Sequence, residues 1–153
     1  MSGKLQREIK QSKPFADREA EAFLNLQRTA DSLMQQLAEG LKPSGLTPTQ
    51  YNILRILKGA EPAGLACREI GDRLITRDPD LTRLLDRMEE RALVSRCRGE
   101  RDRRVVTVRI ASKGLDALAG LDDPLQALVK KQFRNFDGAR LDLLIELLES
   151  LRD

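Results

Sequence analysis

The most chemically distinctive stretch of this sequence runs from Arg96 to Ile110 and reads RCRGERDRRVVTVRI. It holds six arginines in fifteen residues, with Glu100 and Asp102 among them. Guanidinium groups bind phosphates and carboxylates through paired hydrogen bonds, so this density of arginine predicts a surface for a polyanion. A carboxylate two residues from an arginine can fix the orientation of its guanidinium, and Asp102 stands at that distance from Arg104.

The rest of the chain lacks the residue sets that catalysis needs. It has no histidine, and its two cysteines, Cys67 and Cys97, lie far apart. This excludes most zinc sites and catalysis by histidine or by Ser-His and Cys-His pairs. We therefore predict no enzyme activity, no metal and no cofactor. Cys97 is a candidate redox-sensitive thiol because Arg96 and Arg98 flank it, and the alternative is an ordinary strand residue.

Charge is distributed unevenly along the chain. Residues 73–109 carry eleven basic and seven acidic groups, a sum of +4, whereas the segments before and after sum to +1 and −2. A positive middle segment predicts one surface that attracts a polyanion. No apolar run approaches the roughly 18 to 20 residues of a membrane span, and the start, MSGKLQREIKQSK, has no apolar signal segment. We therefore expect a cytoplasmic protein.

The elements that must position the arginines can be predicted from hydrophobic periodicity. The length of 153 residues is typical of one domain, and an aromatic content of 3% indicates a leucine-built helical core. Helical spacing of apolar residues predicts a long first helix over 14–41. A second helix should begin at Pro48, with Thr47 as its N-cap, and end before a loop that contains Pro62 and Gly64.

Two short helices should follow that loop. The first lies in LACREIGDRL. The second covers about 78–91, with Asp78 as its cap, Pro79 in its first position and a narrow apolar stripe of Leu81, Leu84, Leu85 and Met88. Such a pair, with a polar face on the second helix, is typical of a helix-turn-helix. After Leu93 the apolar period changes from 3.6 to 2, which predicts a β-hairpin with a turn at Gly99 and a basic tip.

The C-terminal part should be helical and oligomeric. A helix should begin at Ser112 and be interrupted at 120–124, where Pro124 removes a hydrogen bond and should kink or restart the helix, and Asp123 could cap the restart. The last helix, after Asp137, has apolar side chains over an arc of roughly 200°, which is too wide for an ordinary surface helix. We expect a homodimer whose interface joins the N- and C-terminal helices.

Five segments taken in order resemble the MarR family of bacterial transcription regulators over about residues 15–150. They are LTPTQYNILRIL, REIGDRL, LTRLLDRMEERALVSR, ERDRRVVTVRI and ASKGLDAL. The resemblance implies a mainly α (α+β) fold in one domain over 1–153, with a winged helix-turn-helix at 46–111 between dimerisation helices at 14–41 and 112–153. It also implies a homodimer that binds a pseudo-palindromic operator in double-stranded DNA, usually as a repressor. Release by a small aromatic or phenolic effector, or by cysteine oxidation, is common in the family.

The resemblance also assigns roles to individual residues. Arg104 would enter the minor groove, held by Asp102, while the recognition helix would enter the major groove. The candidate contacts of the recognition helix are Arg77, Pro79, Asp80, Thr82, Arg83 and Arg87. The candidate contacts of the wing are Arg98, Arg101, Asp102, Arg103 and Arg104, with Arg98, Arg101 and Arg103 on phosphates. Arg96 and Arg109 are interpreted as solvated strand residues.

The chain departs from the family pattern at several positions. Pro79 and Asp80 replace the family's Ser-Thr, so Asp80 should either accept a hydrogen bond from a cytosine or pair with Arg77 or Arg83. For Arg87, an ion pair with Glu90 is as good an interpretation as a DNA contact. The cysteine that oxidation-sensing members carry in the first helix and the histidines of zinc-sensing members are both missing. No set of residues identifies an effector site.

A second function is compatible with the same residues. Acidic side chains dilute the positive charge of the recognition helix, and they are Asp78, Asp80, Asp86, Glu89 and Glu90. A winged-helix module that binds a protein instead of DNA is therefore the alternative hypothesis. Salt-sensitive binding to a duplex discriminates between the two.

Overall fold

The computed structural model describes residues 3–153, and Met1 and Ser2, which the single-domain prediction included, lie outside the described residues. The described chain has seven α-helices and one three-stranded antiparallel sheet, so the mainly α fold class is confirmed. It forms two compact units, one extending to Glu39 and the other covering Gly40–Asp153. Within residues 3–153, no helix combines the length and the apolar character needed to cross a membrane.

The first unit contains α1 (Lys4–Glu8), which the sequence did not predict, and most of α2 (Arg18–Leu41). The prediction that this helix begins near Pro14 is wrong by four residues. The Asp17 carboxylate accepts a hydrogen bond from the backbone N–H of Ala20 at 2.7 Å, which is N-cap chemistry. The helix therefore begins one residue after Asp17.

The second unit opens with a short 3₁₀ turn (Lys42–Ser44) and α3 (Pro48–Gly59). The predicted start of α3 is confirmed in detail. The Thr47 hydroxyl accepts the Gln50 backbone N–H at 3.2 Å, while the Gln50 side chain accepts the Thr47 backbone N–H at 3.0 Å. This reciprocal pair satisfies two donors that the first turn of a helix leaves free.

The helix-turn-helix consists of α4 (Cys67–Arg73) and α5 (Leu81–Glu90). The predicted start of the second helix near residue 78 is wrong, and Pro79 is not its first residue. The Asp78 carboxylate accepts the backbone N–H of Asp80 at 2.8 Å, and this local turn competes with helix formation. The predicted apolar stripe of α5 is confirmed as buried, and it comprises Leu81, Leu84, Leu85 and Met88.

The sheet joins β1 (Leu65–Ala66), β2 (Val94–Arg98) and β3 (Val106–Ile110) in the order β1-β3-β2. The predicted hairpin is β2 and β3, in which Arg98 pairs with Val106. The two-residue strand β1 was not predicted. A Cβ on Gly64 would lie 2.5 Å from a backbone oxygen of β3, so only glycine permits β1 to approach so closely.

The helix α6 (Ser112–Gln132) is continuous, so the predicted interruption at 120–124 and the restart capped by Asp123 are wrong. A proline inside a helix removes one hydrogen bond and crowds the carbonyl four residues earlier, which here belongs to Gly120. Leu121 and Leu125 are buried on either side of Pro124. Their packing stabilises the helix across the lost bond.

The last helix is α7 (Gly138–Ser150), and Asp137 caps it by accepting the Arg140 backbone N–H at 2.9 Å, which confirms the predicted start. None of the side chains of α7 is buried in the described chain. Its exposed apolar side chains include Leu143, Ile145 and Leu147, each more than half exposed. The broad apolar arc seen in the sequence is thus uncovered in a single protomer.

Candidate nucleic-acid interface

The outward face of α5 is polar and accessible. Thr82, Arg83 and Arg87 are exposed on the side opposite the buried leucines. The Arg83 side chain is 78% exposed and lies 3.7 Å from the carboxylate of Asp80, measured from Nε to Oδ1. Of the two arginines considered for Asp80, the structure therefore places Arg83 beside it. This pairing reduces the negative charge where α5 begins.

The remaining candidates lie at the ends of this face. Arg77 and Pro79 are exposed in the turn before α5, and with Asp78 they line a cleft of about 640 Å³. In the described chain Arg87 forms no ion pair with Glu90, so the structure leaves its guanidinium available to another group. The face therefore presents accessible arginines in addition to the paired Arg83.

The wing is a short loop that closes the hairpin between β2 and β3. Gly99 donates its N–H to the carbonyl of Val105 at 2.8 Å, and Val105 donates to the carbonyl of Asp102 at 3.2 Å. A Cβ on Gly99 would lie 2.7 Å from that same Asp102 oxygen. The predicted turn at Gly99 is thus present, and its glycine is required by close approach of the backbone. Arg98 steadies the loop by donating to the carbonyl of Arg103 at 3.1 Å.

At the tip of the wing, Asp102 holds Arg104 through two hydrogen bonds. One Asp102 oxygen accepts the backbone N–H of Arg104 at 3.0 Å and its Nε at 3.3 Å. The Arg104 side chain is nevertheless 93% exposed, so the guanidinium projects into solvent from a fixed base. Arg101 and Arg103 are also exposed in this loop. The tip therefore concentrates positive charge on a small, ordered protrusion.

Arg96 is the residue whose role the sequence interpretation missed. It is not a solvated strand residue, because its side chain is only 25% exposed and pairs with two acids of α5. Its Nη2 contacts the Asp86 carboxylate and lies 3.2 Å from Glu89 Oε1, while its backbone N–H donates to Glu89 Oε2 at 3.0 Å. The hydrogen bonds to Glu89 and then to Asp86 raise the pKa of Arg96. The only sequence signal for this contact was that Asp86 and Glu89 are three residues apart and so lie on the same face of α5.

Cys97 and Arg109 lie on the other side of the hairpin. Cys97 is exposed and pairs in register with Thr107. Neighbouring residues of a strand point to opposite faces of the sheet. The guanidinium of Arg96, which pairs with α5, therefore lies on the face opposite the Cys97 thiol. Arg109 is exposed, as predicted, and its Nε donates to the carbonyls of Pro62 at 3.1 Å and Ala63 at 3.3 Å.

A second cluster of interacting side chains lies between α3 and α6. The Arg55 Nε donates to the Tyr51 hydroxyl at 2.9 Å, and its guanidinium lies 5.4 Å from the centre of the Tyr51 ring. Its Nη2 also pairs with Asp122. The hydrogen bond to Tyr51 raises the pKa of Arg55, burial opposes that effect, and the bond to Asp122 adds to it. These three residues line a cleft of about 640 Å³ with Lys130 at its edge.

Comparison with known proteins identifies this arrangement. A family model described as MarR family matches residues 44–105, which contain α3, α4, α5, β2 and the tip of the wing. A solved MarR transcription factor from Planctomyces limnophilus is 38% identical, with 89% of this chain and 98% of that chain covered and a TM-score of 0.69. The chain belongs to the MarR family.

Other MarR-family proteins support the same conclusion. The HTH-type transcriptional regulator MhqR of Bacillus subtilis is 24% identical over 88% of this chain and 92% of its own length. A cysteine-to-serine mutant of MarR from E. coli, solved in complex with operator DNA, has the same fold, with a TM-score of 0.80 at 21% identity and coverage of 91% and 99%. As a MarR-family member, this chain is a DNA-binding transcription regulator.

Proposed function

We propose that this MarR-family protein binds a pseudo-palindromic operator in double-stranded DNA as a homodimer and represses transcription from it. The helix α5 enters the major groove, and the wing enters the adjacent minor groove. The observation that carries this proposal is the exposed guanidinium of Arg104, held at the tip of the wing by Asp102. A narrow minor groove has a strongly negative potential, and an arginine on a thin protrusion is suited to it.

The proposal gives the exposed residues of α5 and of the preceding turn distinct tasks. Arg83 and Arg87 contact guanine edges or phosphates, and Thr82 contacts a phosphate or a thymine methyl group. The full set proposed at the major groove is Arg77, Pro79, Asp80, Thr82, Arg83 and Arg87. Because Asp80 is already paired with Arg83, the repulsion between this carboxylate and the DNA backbone is reduced.

In the wing, the arginines other than Arg104 contact phosphates. Arg101 and Arg103 are exposed on either side of Asp102, and Arg98 lies at the base of the loop. Phosphate contacts of this kind fix the register of a protein on the duplex without reading its sequence. Sequence preference should therefore come from α5 and from the width of the minor groove at Arg104.

Three of the five acidic residues that suggested a protein-binding module are paired with arginines. Asp80 faces Arg83, and Asp86 and Glu89 share Arg96, whereas Asp78 and Glu90 form no ion pair within residues 3–153. The repulsion between these three carboxylates and a phosphate is therefore weaker than it would be without the paired arginines. This local pairing favours the DNA-binding function over the alternative.

The homodimer is supported by the uncovered apolar surface of the C-terminal helices. The end of α6 and the face of α7 form an apolar groove of about 570 Å³, lined by residues that include Phe133, Phe136, Leu144 and Leu148. An apolar surface of this kind is characteristic of a protein interface. We assign 14–41 and 112–153 to the dimer frame and 46–111 to the DNA-binding lobe. A two-fold dimer matches a two-fold operator.

We include relief of repression by a small aromatic effector in the proposal. The cleft beside Tyr51 and Arg55 has a volume typical of small-molecule sites, combines an aromatic ring with cationic groups, and links α3 of the DNA-binding lobe to α6. Because its target is the chromosome, we place the protein in the cytoplasm, in association with the nucleoid. A phenol or aromatic acid whose addition dissociates the protein from its operator would be identified as the effector.

Binding to duplexes at increasing salt concentration tests the proposed function. The DNA upstream of the protein's own coding region is the first duplex to use, with a scrambled duplex of equal length as control. A dimer that makes 6–10 phosphate contacts should lose about 10³- to 10⁵-fold in affinity between 50 and 200 mM salt. Mobility shift or fluorescence anisotropy measures this loss. Absence of salt-sensitive binding to every duplex tried would leave only the protein-binding alternative.

A further inference from the structure

The contact between β2 and α5 joins the two elements that are proposed to enter neighbouring grooves. Glu89 uses both carboxylate oxygens on one residue, because Oε2 accepts the backbone N–H of Arg96 and Oε1 accepts its guanidinium. Asp86, one turn earlier on α5, takes the same guanidinium nitrogen. The strand is thus tied to the helix through its backbone and its side chain at once.

This contact lies where the hairpin leaves the core. Val94, at the start of β2, is 2% exposed, whereas Cys97 and Arg98 are exposed. In the described chain Arg96 is the last residue of β2, counted toward the tip, that donates a hydrogen bond to α5. The next arginine, Arg98, bonds only within the hairpin itself. The orientation of the distal wing relative to α5 therefore depends on Arg96.

We propose that Arg96 is a positioning residue for DNA binding, which locks the wing to α5 so that both reach their grooves together. This inference rests on the proposed function. A strand extends by about 3.3 Å per residue, so the tip of the wing lies well beyond Arg96. A small rotation of the hairpin at Arg96 therefore displaces Arg104 further than it displaces Arg96 itself. Without the contact between Arg96 and α5, Arg104 would no longer be held in position for the minor groove, and binding would lose the advantage of preorganisation.

The proposal is tested by asking whether the contribution of Arg104 to operator affinity depends on Arg96. Operator affinity is measured for the unmodified protein, Arg104→Ala, Arg96→Met and the double variant. In the unmodified protein Arg104→Ala should reduce affinity by about 5- to 150-fold per half-site, the range of a specific contact. In the Arg96→Met background the same change should cost less than about 3-fold, because residues that act together are not additive. Equal costs in both backgrounds would overturn the proposal.

Arg109→Met is the matched control for the loss of one positive charge. Arg109 lies on the paired strand β3 and donates only to carbonyls of the loop before β1. We expect Arg104→Ala to keep its full cost in this background. If Arg109→Met reduces the effect of Arg104→Ala as much as Arg96→Met does, then net charge explains the result and Arg96 has no positioning role.

A second set of variants distinguishes two roles for Arg96, which are positioning of the wing and neutralisation of the negative charges of Asp86 and Glu89. The double change Asp86→Ala with Glu89→Ala removes both negative charges and both hydrogen-bond acceptors of Arg96, and the loss of charge by itself strengthens binding to DNA. If Arg96 acts by positioning, the effect of Arg104→Ala should still shrink in this variant, whatever the change in overall affinity. Arg96→Lys, which keeps one cation, should restore part of the dependence. If Arg96→Met does not fold, these two variants decide the question.

A measurement without DNA separates failure of this inference from failure of the proposed function. Amide hydrogen exchange at residues 97–106 should be faster in Arg96→Met than in Arg109→Met, because the hairpin is released from α5. If no duplex binds the unmodified protein, the proposed function fails, while the exchange result still reports whether Arg96 fixes the wing. Unchanged exchange together with equal Arg104→Ala costs would reject the positioning role alone.

Discussion

At the scale of single residues, the surface of this protein is organised by local pairing of charges. Asp102 forms an ion pair with Arg104, Asp80 with Arg83, and Arg96 with two acids of α5. Pairs that are largely exposed, such as Asp80 with Arg83, contribute little to folding stability because water and salt screen them. Their main effect is on orientation and on the potential that an approaching phosphate meets.

Variants at Asp102 should show that orientation outweighs charge at the wing. Asp102→Ala removes a negative charge, which alone would favour DNA, yet we expect operator affinity to fall by roughly 1 to 3 kcal/mol per half-site because Arg104 is released. Asp102→Asn keeps an oxygen for the Arg104 backbone N–H and should lose less. Glu100→Ala is the matched control, since it removes the same charge from the same loop, and it should bind at least as tightly as the unmodified protein. Tighter binding by Asp102→Ala, with unchanged melting temperature, would refute the holding role.

At the scale of elements, the hairpin and the recognition helix depend on different constraints. The helix α5 is held by four buried side chains along one stripe, so its outward residues can vary without loss of the fold. The wing loop has no comparable core and relies on backbone hydrogen bonds of Gly99, Asp102 and Val105. Its shape is therefore sensitive to a single added carbon atom.

Gly99→Ala should damage DNA binding more than stability. The added Cβ would meet the Asp102 carbonyl oxygen at 2.7 Å, so the loop must open and displace Asp102 and Arg104. We expect operator affinity to fall by a factor comparable to that of Arg104→Ala, with a melting temperature within a few degrees of the unmodified protein. Gly59→Ala lies at the end of α3, where the new Cβ would meet no atom within 4 Å beyond its chain neighbours and the backbone of its own helix; it is the control and should leave affinity unchanged. Normal affinity of Gly99→Ala would show that the loop tolerates a different shape.

At the scale of the whole molecule, exposed apolar side chains dominate the C-terminal helix. Leu143, Ile145 and Leu147 are each more than half exposed on α7, and the same helix lines the apolar groove with the end of α6. Leaving such surface in water is unfavourable, by about 25 cal/mol per Å² of apolar area. A partner protomer that covers it would make DNA binding depend on dimerisation.

Leu147→Asp should convert the protein to a monomer. Leu147 is 56% exposed in the described chain, so the change should leave the fold intact while placing a charge in the proposed dimer interface. Sedimentation velocity should show half the mass, and operator binding should be lost because one half-site binds weakly. Ala139→Asp places the same charge near the start of α7, where a carboxylate is favourable, and should remain dimeric. A dimer that survives Leu147→Asp would place the interface elsewhere.

Local patterns in the sequence predicted the parts of this structure that depend on neighbouring residues. The cap at Thr47, the leucine stripe of α5 and the hairpin turn at Gly99 each rest on interactions within a few positions, and each was predicted. The contact of Arg96 with α5 depends on how a strand folds back on a helix, which no local pattern specifies. The continuity of α6 through Pro124 likewise depends on tertiary burial of flanking leucines. For the candidate site, the sequence anticipated that Asp102 lies beside Arg104 and offered two arginines for Asp80, but it did not indicate that Arg96 pairs with Asp86 and Glu89.

The position of Glu89 has a consequence for the behaviour of the protein at high concentration. β2 is an outer strand of the sheet, and an outer strand with free N–H groups can recruit a strand from another molecule. Glu89 already accepts the N–H of Arg96, so this donor is not open to a strand of a second molecule. The contact between Glu89 and Arg96, which we propose orients the wing, thus also covers part of an exposed strand edge.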